Sequence, residues 1–146
     1  MHILRNLDLF ILGITVAAIG ILGFSVFFSN RRSITNRTFL LFSLITIVYG
    51  FFNYFNYQVQ SPILVLWFLR LTIFSAVWHA FSFFQLFYVF PKDEVKFSAY
   101  YKFGIIRIVA LTSFVTLTPF VFSKIDKLSS PGGVTNPVRG QGIILF

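Results

Sequence analysis

The chain has 146 residues, of which 57% are hydrophobic and 11% charged, with a formal net charge of +8 and no cysteine. A soluble globular domain carries about 25% charged residues, and a water-facing fold of this length has no room to hide 22 phenylalanines. Disulfide frameworks, thiolate chemistry and cysteine metal sites are excluded.

The basic residues sit in short segments between apolar runs and do not follow one amphipathic face. That placement matches retention beside anionic lipid on the cytoplasmic side, not nucleic-acid binding. Nothing charged lies between Asp8 and Arg31, between Arg37 and Arg70, or between Arg70 and Lys92. A transmembrane helix needs roughly 20 mostly apolar residues at about 1.5 Å each, so these runs predict an all-α, polytopic transmembrane bundle with four spans and the start of a fifth.

The first span is expected over residues 9–28. Its apolar stretch is longer than a signal peptide's and has no small-residue cleavage site before Arg31, so it is read as a retained helix. Gly13, Ala17 and Gly20 share one face, where small residues would let a second helix approach closely. The segment from Ser29 to Thr38 is a short basic loop. The second span is expected over 39–57, and Thr46, Tyr49, Asn53 and Asn56 fall on one stripe of it. In lipid such a stripe turns toward protein or a water-filled cavity.

A charge-free turn at Gln58 to Pro62 leads to a third span over 63–90, about 42 Å long at helical rise and therefore tilted or projecting. Pro91 and the segment KDEVK close it. The fourth span is expected over 103–123, with Thr112, Thr116, Pro119 and Ser123 on one face and a kink at Pro119. Residues 124–142 read as an outer loop with turn signals at Ser130-Pro131-Gly132-Gly133 and Asn136-Pro137, open to a short hairpin. Residues 143–146 begin a further apolar run, and the chain is expected to be the front of a longer protein.

With the amino terminus outside, the inner segments hold Arg31, Arg32, Arg37, Lys92, Lys96 and Lys102, while the outer ones hold Arg5, Lys124, Lys127 and Arg139. The loops flanking the charge-free turn carry three basic residues each, which orients the helical hairpin. A multi-pass protein of a bacterial inner membrane, amino terminus outside, is the expected arrangement.

Several residues carry a resemblance: the glycine-rich first helix ending at Ser29 to Arg32, and Thr35-Asn36-Arg37-Thr38-Phe39 opening the second helix. Tyr49, Leu66-Trp67-Phe68-Leu69-Arg70 and the stretch from Phe87 to Pro91 complete it. In this order the chain resembles the amino-terminal seven-helix sensor region of bacterial histidine kinases and related signalling proteins. The resemblance implies three more helices and a cytoplasmic output domain as partners within the same protein. Seven crossings from an outside amino terminus would place that output domain in the cytoplasm. A second copy of the chain, in a homodimer, is a further candidate partner, beside the lipid bilayer itself.

No catalytic constellation is visible. The acids Asp8, Asp93, Glu94 and Asp126 lie at span ends or in loops, and His2 and His79 are on different segments. Neither paired carboxylates nor metal-ligand spacing results, and no cofactor motif or phosphate loop is found. The chain is read as no enzyme, and any histidine kinase activity would belong to the parent protein. Two ionisable residues inside spans are candidates for ligand or interhelix contact. Arg70 is expected to reach Tyr49, Asn53 or another bundle-facing oxygen, with snorkelling and ligand contact as alternatives. His79, with Ser75 and Ser82 on its face and about 180° from Arg70 by helical angle, is either a hydrogen-bonded bundle residue or a pH sensor. Asn56 completes the polar set. The expected function is a membrane-embedded sensory input region; the alternatives are a transporter or channel fragment and a structural membrane subunit.

Overall fold

A computed structural model describes residues 2–92, 94–128 and 136–145. Asp93, the expected turn at Ser130 to Gly133 and Phe146 lie outside the described residues. The fold is mostly helical: α1 (His2–Ser29), α2 (Ile34–Gln58), α3 (Pro62–Val89) and α4 (Ile106–Thr116), the last preceded by a π-helical turn, Tyr101–Ile105. A two-stranded antiparallel hairpin, β1 (Phe122–Lys127) with β2 (Asn136–Arg139), and a 3-10 turn, Gln141–Leu145, follow. Three segments are long and apolar enough to cross a membrane: Leu7–Ser29, Ile34–Gln58 and Pro62–Val89, of 23, 25 and 28 residues.

The fourth predicted span needs correction. Its apolar helix is the shorter stretch Phe103–Thr116, and residues 122 and 123 belong to a strand instead. Pro119 ends the helix where a kink was expected. Proline has no N–H and disfavours helical backbone in the residue before it. The chain therefore tightens at Leu117, whose N–H bonds the Phe114 carbonyl at 3.1 Å, and turns. Thr118 finishes the turn, its hydroxyl donating to the Val115 carbonyl at 2.7 Å. The apolar run at 143–146 likewise begins as part of the 3-10 turn, with Gly142 donating to the Phe120 carbonyl at 2.8 Å. Side chains at Gly140 and Gly142 would collide with Phe120, so this return needs glycine.

The helices pack in chain order, α1 on α2, α2 on α3 and α3 on α4. We call the end holding the Val59–Ser61 turn the upper end; the hairpin lies there too, because α4 runs back up from the lower end. The burial pattern is inverted relative to a soluble protein. Phe10, Leu111 and Phe114 are each about two-thirds exposed, whereas Ser43, Ser75, Ser82, Ser113 and Thr116 are buried. Lipid tails give no hydrophobic drive to helix association, so small residues that permit close packing form the seams. On α3 the buried positions Val65, Thr72, Ser75, Ser82 and Val89 follow a heptad rhythm.

On α1 the contact face is Leu12, Val16, Ile19, Gly20, Gly23 and Val26; of the predicted Gly13–Ala17–Gly20 face, Gly20 lies on it while Gly13 and Ala17 are exposed. Gly13 has open space beside it. The close approach is at Gly23, where an added Cβ would come within 2.8 Å of the Ser43 Cβ. Only a hydrogen fits there.

Candidate interhelical coupling site

The buried hydroxyls satisfy themselves locally. Thr38 bonds the Ile34 carbonyl at 2.8 Å, Ser43 that of Phe39 at 2.9 Å, Thr72 that of Phe68 at 2.7 Å and Ser113 that of Val109 at 2.7 Å. Each is a bond within one helix, so these hydroxyls add no hydrogen bond across the seams. Among the described residues, side-chain hydrogen bonds between different elements of the helical bundle occur at its two ends.

At the lower end, Thr35 and Asn36 in the first turn of α2 reach in opposite directions. The Thr35 hydroxyl donates to the Lys92 carbonyl at 2.6 Å and sits 3.3 Å from that of Val89, pinning the end of α3. Asn36 donates from Nδ2 to the Val26 carbonyl on α1 at 2.7 Å. Arg37 Nε bonds the Arg31 carbonyl at 2.8 Å, which fixes the intervening loop. Beside this clamp, Phe81, Tyr88, Phe97 and Tyr101 form an aromatic cluster, the Phe97 and Tyr101 centroids 4.7 Å apart.

At the upper end, Arg70 is buried and donates from Nη2 at 2.6 Å and from Nε at 3.3 Å to a single acceptor, the Phe122 carbonyl of β1. Its guanidinium carbon also lies 5.4 Å from the centroid of Trp67, in cation–π range. The charge thus ties the hairpin to α3. Arg70 reaches neither Tyr49 nor Asn53. It faces the hairpin, while the opposite side of α3 faces α2.

His79 occupies that opposite side. Its ring stacks between two α2 rings, Phe42 at 5.1 Å and Tyr49 at 5.7 Å, the latter nearly parallel at 6°. Its Nε2 is buried with no protein hydrogen-bond partner, as is Oδ1 of Asn56, which is on the Phe42–Tyr49 face by heptad spacing. Tyr49 and His79 therefore come together, with Asn56 on their seam. Asn53 does not join them. It lines a cleft between α1 and α2 with Asp8, Thr15, Tyr57 and Gln58. Arg107 is exposed, with its guanidinium carbon 5.4 Å from the Phe103 ring centroid.

Two parts of this arrangement escaped the sequence reading. The acceptor for Arg70 is a backbone carbonyl, which has no residue signature. The clamp residues were visible as a polar run opening α2, and alternation of their partners follows from the roughly 100° step between adjacent helical positions. Among the described residues, no three His, Cys, Asp or Glu side chains gather as a metal ion would require. Comparison with family models, curated proteins and solved structures finds no match to this chain.

Proposed function

We propose that the chain is the membrane-embedded sensory input region of a signal-transduction protein, histidine kinase-like in organisation. It lies multi-pass in a bacterial inner membrane with the amino terminus and the hairpin outside. Residues 99–116 make the fourth crossing, about 27 Å at helical rise against a core of roughly 30 Å. The observation that carries the reading is the distribution of ties. Helix α3 is held to the outer hairpin through Arg70 and to α2 at the inner end through Thr35, while its middle is free of interhelix hydrogen bonds. A rod fastened only at its ends, on seams of small self-satisfied residues, can settle in two packings. The orphaned polar atoms of His79 and Asn56 on the α2–α3 seam favour a second packing in which they find partners.

In this reading the chain performs no catalysis, and its signal passes to a cytoplasmic output domain. A transporter or channel would need polar side chains along an open path, whereas Thr72, Ser75 and Ser82 are buried and bonded within α3. Transcript profiling of cells carrying Arg70→Gln or Thr35→Val tests the proposal. Both alleles should shift the same set of genes at unchanged protein level; profiles identical to wild type would sink it.

A further inference from the structure

The cleft between the upper ends of α1 and α2 has a volume of about 400 Å³, within the roughly 300–1,000 Å³ range of small-molecule sites. The two helices meet closely at Gly23 and Ser43, and nearer the upper end Gly50 puts no side chain between them. A Cβ at Gly50 would sit 3.6 Å from Leu12 Cδ1, in ordinary contact, so anything larger than a methyl there would intrude on the floor. The α1 wall joins one acid to apolar side chains, and the α2 wall is aromatic and amide. Asp8, Ile11 and Leu12 of α1 face Asn53, Tyr54, Tyr57 and Gln58 of α2 across it, and the Thr15 hydroxyl is already committed to the Ile11 carbonyl at 2.9 Å.

Asp8 stands at the upper edge of the first apolar segment, Leu7–Ser29, where the cleft opens. A carboxylate beside tyrosine rings and amide oxygens attracts a cation through charge, ring quadrupole and acceptor groups at once, and it repels an anion. The apolar side chains of the α1 wall take a hydrocarbon body.

We propose that the Asp8–Asn53–Tyr57 cleft binds a small organic ammonium ion, its positive end at Asp8 and its apolar part against Ile11 and Leu12. The assignment rests on the sensory reading for its role as stimulus site, but binding itself can be measured without any signal.

The test is equilibrium dialysis of radiolabelled benzyltrimethylammonium against the chain in zwitterionic nanodiscs, with empty discs as blank. Saturable binding is expected, displaced by unlabelled probe and not by benzenesulfonate. Asp8→Asn should weaken it about tenfold or more, the scale of one charge-assisted contact. Gly50→Leu, which fills the floor and leaves the charge in place, should abolish it, with helical content checked by circular dichroism. Absent saturable binding, or binding within about twofold of wild type in either folded variant, would overturn the ligand assignment. That outcome leaves the transcript test untouched, so the two failures are distinguishable.

Discussion

Replacing Arg70 by glutamine should release the hairpin while leaving the bundle standing. The arginine makes a charge-assisted bond to the Phe122 carbonyl at 2.6 Å and a cation–π contact with Trp67 at 5.4 Å. Hydrogen bonds to charged groups contribute about 1.5–3 kcal/mol net, and the Trp67 contact lies within α3 itself, so the hairpin loses about 1.5–3 kcal/mol of attachment. At about 1.36 kcal/mol per factor of ten, its opening equilibrium rises about 10- to 160-fold. Global stability moves far less. The variant also removes a buried charge whose insertion costs about 2.5–3.5 kcal/mol at a helix centre and less near its edge, and this relief offsets the lost contacts. Hydrogen–deuterium exchange in nanodiscs separates the two effects. Amides of β1 and Gly140, whose N–H bonds the Val121 carbonyl at 2.8 Å, should exchange faster by that factor, with the middle of α3 unchanged. Hairpin exchange at the wild-type rate would refute the Arg70 tie.

Gly23→Leu should loosen α1 from α2, since even a Cβ there would lie 2.8 Å from Ser43; overpacking of this kind costs about 1–3 kcal/mol. Faster proteolysis of the 29–34 loop in the variant is the readout, and unchanged cleavage would contradict the seam. His79→Phe should keep the stack on Phe42 and Tyr49 while removing a buried nitrogen without a partner. Relief of about 1–3 kcal/mol is expected, seen as a raised thermal midpoint; a lowered one would show that His79 has a hydrogen-bond partner in the folded protein. Arg32→Cys and Asp126→Cys, both at exposed positions of this cysteine-free chain, should label with membrane-impermeant maleimide from opposite sides, and labelling from one side would refute the proposed topology.

The three long helices were legible because a charge-free apolar run of more than about 20 residues has few alternatives to a membrane helix. Their expected limits, 9–28, 39–57 and 63–90, miss mainly the polar first turns, such as 34–38 of α2, where Thr35 and Asn36 are helical yet face protein. Composition alone reads such residues as loop. The fourth helix was overextended because Phe120, Val121 and Phe122 are as apolar as a span, and hydropathy does not register that Pro119 stops the helix before them. Packing faces were harder still. Gly13, Ala17 and Gly20 form as good a small-residue stripe as any, and that α2 meets Gly20 and Gly23 but leaves Gly13 and Ala17 exposed depends on where α2 lies, a tertiary fact. The opposition of Arg70 and His79 on α3 followed directly from helical angle. Which neighbour each would meet did not, since a strand carbonyl and two aromatic rings leave no mark on the residues that use them.

The most direct measurement of coupling across the bundle is the rate of disulfide formation between cysteines placed at Arg32 and Lys96, which line one cleft at the lower end. Coupling through α3 predicts that adding Arg70→Gln at the opposite end changes this rate several-fold, because release of the hairpin lets α3 shift against α2 at the Thr35 clamp. An unchanged rate, in a variant whose hairpin exchange shows that the tie is broken, would contradict the account.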